Sequence, residues 1–250
     1  MAAEGAHEDH GPIAQFKINK IYDLNLFGYD VSFTNSSLFM VLALAVILAF
    51  LLFASRDRSM VPSRLQSMAE LVYEFIAKMV KDNLGPEGMK YFPWVFSIFI
   101  FILALNLPGM IPGGFTVTSH IIVTFAFAAM VWLVATGIGF AKHGLGYLKL
   151  FVPEGVPLLL LPLIVVIELI SYFIRPISHS VRLFANMMAG HTMLKVFAGF
   201  AVMLPWWGKI APAGFMVAFT GLELVVAILQ AFIFTVLTCI YLNDAVNMHH

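Results

Sequence analysis

Apolar residues run along this chain in stretches too long for a water-exposed fold, broken by short polar clusters. Positions 31–54 carry no charge for 24 residues, enough for one helical crossing of a bilayer at about 20 residues per span. The run stops at SRDRS, 55–59. Over 62–84 the period changes. Pro62 suits a helix start, Ser63, Ser67, Glu70, Glu74, Lys78 and Lys81 recur at three- and four-residue steps, and Leu65, Met68, Val72, Phe75 and Met79 make the opposite face. This spacing predicts an amphipathic helix lying in the membrane interface. A helix packed as in a soluble protein has the same pattern and stays open as the alternative.

From 91 to 141 there is no formal charge for 51 residues, and NLPGMIPGG at 106–114 supplies the breakers that divide this run into spans at 91–107 and 119–141. Asn106 at the end of the first is a candidate polar site, with turn or capping duty as the commoner role for such a residue. After Lys142, His143 and Lys149 comes a further apolar run, 155–203. As one helix it would extend about 70 Å at 1.5 Å per residue, more than twice the hydrocarbon thickness. It must tilt steeply, kink near Pro162 or Pro176, or break in two. LPWWGKIAP at 204–212 reads as an interfacial turn with Trp206 and Trp207 at headgroup level, and 211–246 is the last long apolar segment.

The expected architecture is therefore all-α and integral to the membrane: five transmembrane helices plus one interfacial amphipathic helix, within a single domain at 31–250 that follows a polar tail at 1–30. HEDH at 7–10 has metal-ligand residue types but reads as part of that tail. Glu4, Glu8 and Asp9 are unlike the basic start of a cleavable signal, and the tail's lack of Arg argues against an organelle transit peptide. The bases Arg56, Arg58, Arg64, Lys78, Lys81 and Lys90, with Lys142 and Lys149, fall in loops on one side, which the positive-inside rule makes cytoplasmic. Five crossings then leave the N-terminus periplasmic and the C-terminus cytoplasmic.

Composition strengthens this picture: 61% of the 250 residues are hydrophobic, 11% are charged, and the mean hydropathy is +0.92. Fourteen basic and fourteen acidic side chains balance, so nothing points to nucleic acid as a partner. The single Cys239 lies in an apolar run and is expected to behave as a small buried hydrophobe. No internal repeat and no phosphate-binding G-x-x-x-x-G-K-[ST] loop is present.

The costliest part of the pattern is 168–191, ELISYFIRPISHSVRLFANMMAGH, where Glu168, Arg175, His179, Arg182 and His191 interrupt an otherwise apolar segment. Ionisable groups at bilayer depth cost a few kcal/mol or more, so they face a bundle interior, a water-filled cavity or a partner. Seven residues return a side chain to within about 20° of its start. Glu168, Arg175 and Arg182 therefore share a face, with His179 and Asn186 near it. His191 points roughly to the other side and about 13 Å farther along. Two polar zones at different depths are what two separate aqueous inlets need. Glu223 and Gln230 form a matching stripe on the last helix. A structural network stays open as the alternative, with Glu168 on Arg175 and His191 on Glu223. It leaves Arg182 without an acid near in sequence, which favours a carboxylate on another chain. Lys195 is within snorkelling reach of the surface and is not assigned.

These residues carry a resemblance. RLFANMMAGH at 182–191 resembles the signature R-L-F-x-N-M-x-A-G-E/H of subunit a of the F-type ATP synthase membrane sector. ALNLPGMIP at 104–112 resembles the family's N-L-x-x-x-x-P turn, Glu168 falls where the family has an acid fourteen residues before the arginine, and Glu223 with Gln230 matches its last-helix pair. The likeness extends from about residue 20 onward. It implies that the last two helices are a long, tilted hairpin. It also implies proton translocation through two aqueous half-channels against a rotating ring of c subunits, coupled to ATP synthesis made elsewhere in the complex. Arg182 would be the essential arginine facing the ring carboxylate, and His191 and Glu223 would line the half-channel away from the cytoplasm. Some family members carry Glu at the first of these positions and His at the second; the swapped pair here resembles the mitochondrial and related bacterial form. Asn186 and Gln230 would be polar neighbours of the arginine, and Glu168 a group near the cytoplasmic half-channel, with Arg175, His179 and Asn106 as further candidates.

The resemblance makes the chain a non-catalytic subunit with no cofactor and no metal. Its implied partners are the c ring, peripheral-stalk b subunits, the remaining ATP synthase subunits and the bilayer, in a bacterial inner membrane in preference to the mitochondrial one. Two other classes stay open, a self-contained secondary transporter and a mere membrane scaffold for the complex, which would tolerate apolar replacement of Arg182; the coupling ion is open as well. A self-contained secondary transporter predicts internal symmetry, of which the sequence has none. A sodium-coupled version of the same motor needs oxygen ligands, most naturally on the ring.

Overall fold

The computed structural model describes residues 16–23, 25–26, 29–30, 32–56, 62–110, 114–152, 157 and 159–247; the HEDH run lies outside them. Six helices carry the fold: α1 (Asn35–Arg56), α2 (Arg64–Leu84), α3 (Phe92–Asn106), α4 (Ile121–His143), α5 (Leu161–Met203) and α6 (Ile210–Val246). Five segments are long and apolar enough to cross a membrane, Asn35–Arg56, Pro86–Met110, Ile121–Phe151, Leu161–Met203 and Trp206–Val246. The protein is thus an all-α membrane protein. Short 3₁₀ turns at Pro86–Tyr91 and Pro108–Met110 lengthen the 15-residue α3 into a full span.

Ahead of α1, the inner part of the tail folds into two small antiparallel ribbons, β1 (Lys20–Tyr22) on β4 (Phe33–Thr34) and β2 (Asn25–Leu26) on β3 (Tyr29–Asp30). Asn35 ties them to the helix: its Nδ2 donates to the Lys17 carbonyl at 3.1 Å, and its backbone N–H to the Asn19 carbonyl at 3.1 Å.

α2 starts where Ser63 caps it, the hydroxyl accepting from the Gln66 N–H at 3.3 Å, and stops at Gly85, whose φ of 73° lies in a region that glycine enters without steric cost. The apolar side of α2 divides in two. Ile76, Met79, Val80 and Leu84 are buried against the bundle, whereas Leu65, Met68, Leu71, Tyr73 and Phe75 face outward. The expected apolar face is therefore only partly the packing face; Leu65, Met68 and Phe75 belong to the outward half. A helix that packs on one flank and shows apolar side chains on another suits the interface.

α5 resolves the choice left by its length, for it is one continuous helix of 43 residues with Pro176 inside it. At about 65 Å it exceeds twice the hydrocarbon thickness, and α6 at about 55 Å is nearly twice it, so both must lie strongly tilted. They are joined by the turn carrying Trp206 and Trp207, which are 81% and 66% exposed. α6 is the central element and touches α2, α3, α4 and α5. Small residues allow the close approach: Ala227, Ala231 and Cys239 of α6 and Ala128 and Ala135 of α4 are buried in one core with Leu183, Met187 and Phe234. Cys239 is a free, buried thiol, as its surroundings in sequence suggested.

Candidate functional site

Arg182 stands at the midpoint of α5, with twenty-one helical residues on each side. Its side chain is on the exposed outer face. Among the described residues no carboxylate pairs with it and no hydrogen bond holds it. Apolar side chains are exposed on both long helices, Ile170, Ile174, Ile177 and Val181 on α5 and Leu224, Val225, Ile228 and Leu229 on α6, and Ser178 is exposed one turn before Arg182. A guanidinium cannot give up its proton at ordinary pH, and an unpaired charge in such surroundings calls for an opposite charge from outside the chain.

His191, nine residues on, is buried at 5% exposure, and so is Glu223 of α6 at 3%. Nδ1 lies 2.6 Å from Glu223 Oε1. The contact is close, but the ring N–H is not aligned with the oxygen, and both carboxylate oxygens and His191 Nε2 lack a hydrogen-bond partner within the protein. Buried polar groups of this kind are satisfied by water or by an exchanging proton. The approach depends on Gly190: a Cβ there would stand 2.8 Å from Oε1 and 3.2 Å from Cδ of Glu223. A cavity of about 180 Å³ opens beside the pair, lined by Asn186 and Gly190 of α5 and by Leu222, Glu223 and Val226 of α6. It connects Glu223 to Asn186, one helical turn beyond Arg182. Gln230 is buried two turns along α6 from Glu223; because the hairpin is antiparallel, this sets it near the level of Arg182 along the axis.

The remaining candidates divide. Arg175 does not pair with Glu168. Its Nη1 donates to Asp244 Oδ2 of α6 at 2.7 Å, and the guanidinium lies over the rings of Tyr172 and Tyr241 at 5.7 and 5.6 Å. Arg175 is half-buried against α6, whereas Arg182, seven residues on, is exposed. Glu168 is half-buried on α5 with no ion-pair partner among the described residues. His179 is buried with its ring 3.7 Å from that of Phe234, a packing position. Asn106 is neither cap nor turn former: fully buried, it donates from Nδ2 to the Ala227 carbonyl at 3.2 Å and accepts from the Thr118 hydroxyl at 2.8 Å, fastening the end of α3 to α6. Lys195 is exposed.

Asp244 was missed from the sequence, although a signal existed, since it lies three heptads after Glu223 on an otherwise uncharged helix face. Gly190 stood inside the resembled signature and Gly109 inside the quoted turn, but what requires a glycine there, close approach between segments, is visible only in three dimensions. Among the described residues no three His, Cys, Asp or Glu side chains gather as a metal site.

Comparison with known proteins identifies the family. Residues 37–243 match the family model described as ATP synthase A chain. The chain is 57% identical over 240 residues to ATP synthase subunit a of Pelagibacter ubique (strain HTCC1062), covering 96% of this chain and 98% of that one. It is 56% identical over 245 residues to the subunit a of Mesorhizobium japonicum, with 96% and 97% covered, and 52% identical over 240 residues to that of Rhodospirillum rubrum, with 96% and 100% covered. Identity at this level over nearly the full length, on a bundle of five apolar spans, places the chain in the ATP synthase A chain family, the subunit a of the ATP synthase membrane sector.

Proposed function

We propose that the chain is the proton-conducting stator of a rotary ATP synthase, itself without catalytic activity, working against a ring of c subunits and held with peripheral-stalk b subunits. The observation that carries this reading is Arg182: a permanently charged, unpaired guanidinium at the midpoint of a long tilted helix, on its exposed face. The partner chemistry that fits is a membrane-embedded carboxylate that arrives and leaves.

Two environments would then alternate for each ring carboxylate. Opposite Arg182 the cation favours the deprotonated form; in the apolar surroundings beyond it desolvation favours the neutral acid. On one side, His191 and Glu223 relay a proton through the cavity toward Asn186 and the ring. An imidazole and a carboxylate suit that task, since each can both take and release a proton. On the other side, toward the base-rich loops assigned to the cytoplasm, Glu168 receives the proton on its way out. Arg182 lies between and carries no proton through, so the two paths connect only by way of the ring. With the basic loops inside, the N-terminus is periplasmic and the C-terminus cytoplasmic. One charge crossing 100 mV is worth about 2.3 kcal/mol, so several must be gathered by rotation for one ATP.

The test is ATP-driven acidification of inverted vesicles containing the assembled complex. Arg182→Ala, Arg182→Lys and His191→Ala are compared with wild type. The proposal expects loss of pumping in both Arg182 variants, because a lysine lacks the planar, always-protonated fork, and a strong reduction in His191→Ala. Normal pumping in Arg182→Ala would return the charged residues to a structural role.

A further inference from the structure

Residues 115–119, just ahead of α4, combine a short 3₁₀ turn with deep burial. Phe115, Thr116, Val117, Thr118 and Ser119 are between 0% and 7% exposed. They pack beside His191, which lies twelve residues, about 18 Å, inside the end of α5. Backbone outside a regular α-helix at such depth is tolerated where it is enclosed by protein or lines a water-filled path. Part of their polar content is satisfied internally: the Thr118 hydroxyl bonds Asn106, and the Ser119 hydroxyl bonds the Thr116 carbonyl at 2.5 Å. Two groups are not. The Thr116 hydroxyl makes no hydrogen bond among the described residues, and Nε2 of His120, whose ring stacks on Phe115 at 5.2 Å, is buried without a partner.

A third unpartnered group lies close to the Thr116 hydroxyl. His191 Nε2, the edge of the ring turned away from Glu223, would lie 2.9 Å from a Cβ on Gly109, and that same Cβ would collide with the Thr116 hydroxyl. Only the side chain that Gly109 lacks separates the hydroxyl from the imidazole.

We infer that Gly109, Thr116 and His120 form the outer part of the proton path to His191, an inference that rests on the half-channel proposed above. Gly109 keeps the passage open. The Thr116 hydroxyl meets His191 Nε2 directly or through one water, and His120 is a second imidazole farther out. As Nε2 takes a proton from the Thr116 side, Nδ1 releases one toward Glu223, and the hydroxyl is replenished from the His120 side. One proton enters for each that leaves.

The first test uses vesicles of the assembled complex carrying Arg182→Ala, where a passive leak needs both half-channels. Adding Gly109→Val should lower that leak about tenfold or more, and adding Thr116→Val should lower it while Thr116→Ser retains it. A leak unchanged by Gly109→Val overturns the inference, whereas absence of any leak in Arg182→Ala alone counts against the stator reading instead. The second test is independent of Arg182 and of whether Gly109→Val assembles. In an otherwise unaltered complex, Thr116→Cys should react with a small water-soluble thiol reagent, while Val117→Cys, 1% exposed, does not react. Equal inertness of the two cysteines overturns the inference whatever Arg182 does.

Discussion

Replacing Gly190 by Ala probes the His191–Glu223 pair without touching either residue. The new methyl would stand 2.8 Å from Glu223 Oε1, 3.2 Å from Cδ and 3.4 Å from Cγ. Ordinary heavy-atom contact begins near 3.5 Å, so the carboxylate must withdraw by about 0.6 Å or more. Functional groups need holding to within about 0.5 Å, and a misplacement of about 1 Å can cost on the order of 100-fold. ATP-driven proton pumping should therefore fall about 10- to 100-fold, read as the initial rate of acidification in inverted vesicles. Helix propensity works in the opposite direction: Ala is better than Gly in a helix interior by about 1 kcal/mol, so the loss cannot come from a weakened α5. Wild-type pumping in Gly190→Ala would refute the claim that this approach matters.

Three further outcomes are expected. Asn106→Leu keeps the branching and number of side-chain heavy atoms but strands the Thr118 hydroxyl and removes the bond to Ala227, and should lower stability by about 1–2 kcal/mol; an unchanged unfolding midpoint in detergent contradicts this. Arg175 and Asp244, about a third exposed, should couple by about 1 kcal/mol in a double-mutant cycle of thermal unfolding, between the values of surface and buried pairs; additive single effects would deny the link between α5 and the end of α6. Cys239, fully buried, should resist thiol reagents in the native complex and react after denaturation, whereas ready native labelling would mean that the α6 core is open.

Spans were legible because lipid demands long uninterrupted apolar runs, and α1, α3, α4, α5 and α6 lie within a few residues of the expected limits, except that the helical part of α5 begins at Leu161 instead of 155. Whether α5 bends or breaks was not legible: a proline inside a helix permits a continuous, kinked or broken outcome, and packing on α4 and α6 decides. Arg182, His191 and Glu223 drew attention because charged or titratable side chains in an apolar run are conspicuous in one dimension, and the seven-residue spacing added Gln230. The Glu168–Arg175 pair left open by that spacing does not form, because Arg175 takes Asp244, 69 positions away. The contact-dependent features, Gly109, Gly190 and the double bond of Asn106, could not be seen because nothing in their local sequence records what lies across the bundle.

The most direct measurement is passive proton conductance under an imposed potassium diffusion potential, without ATP, in vesicles holding the complete complex. If Arg182 is the charge that separates two half-channels, Arg182→Ala should conduct protons well above wild type, and adding Glu223→Leu should close that leak. If Arg182→Ala is as tight as wild type and still pumps on ATP addition, Arg182 is not the barrier and the central claim fails.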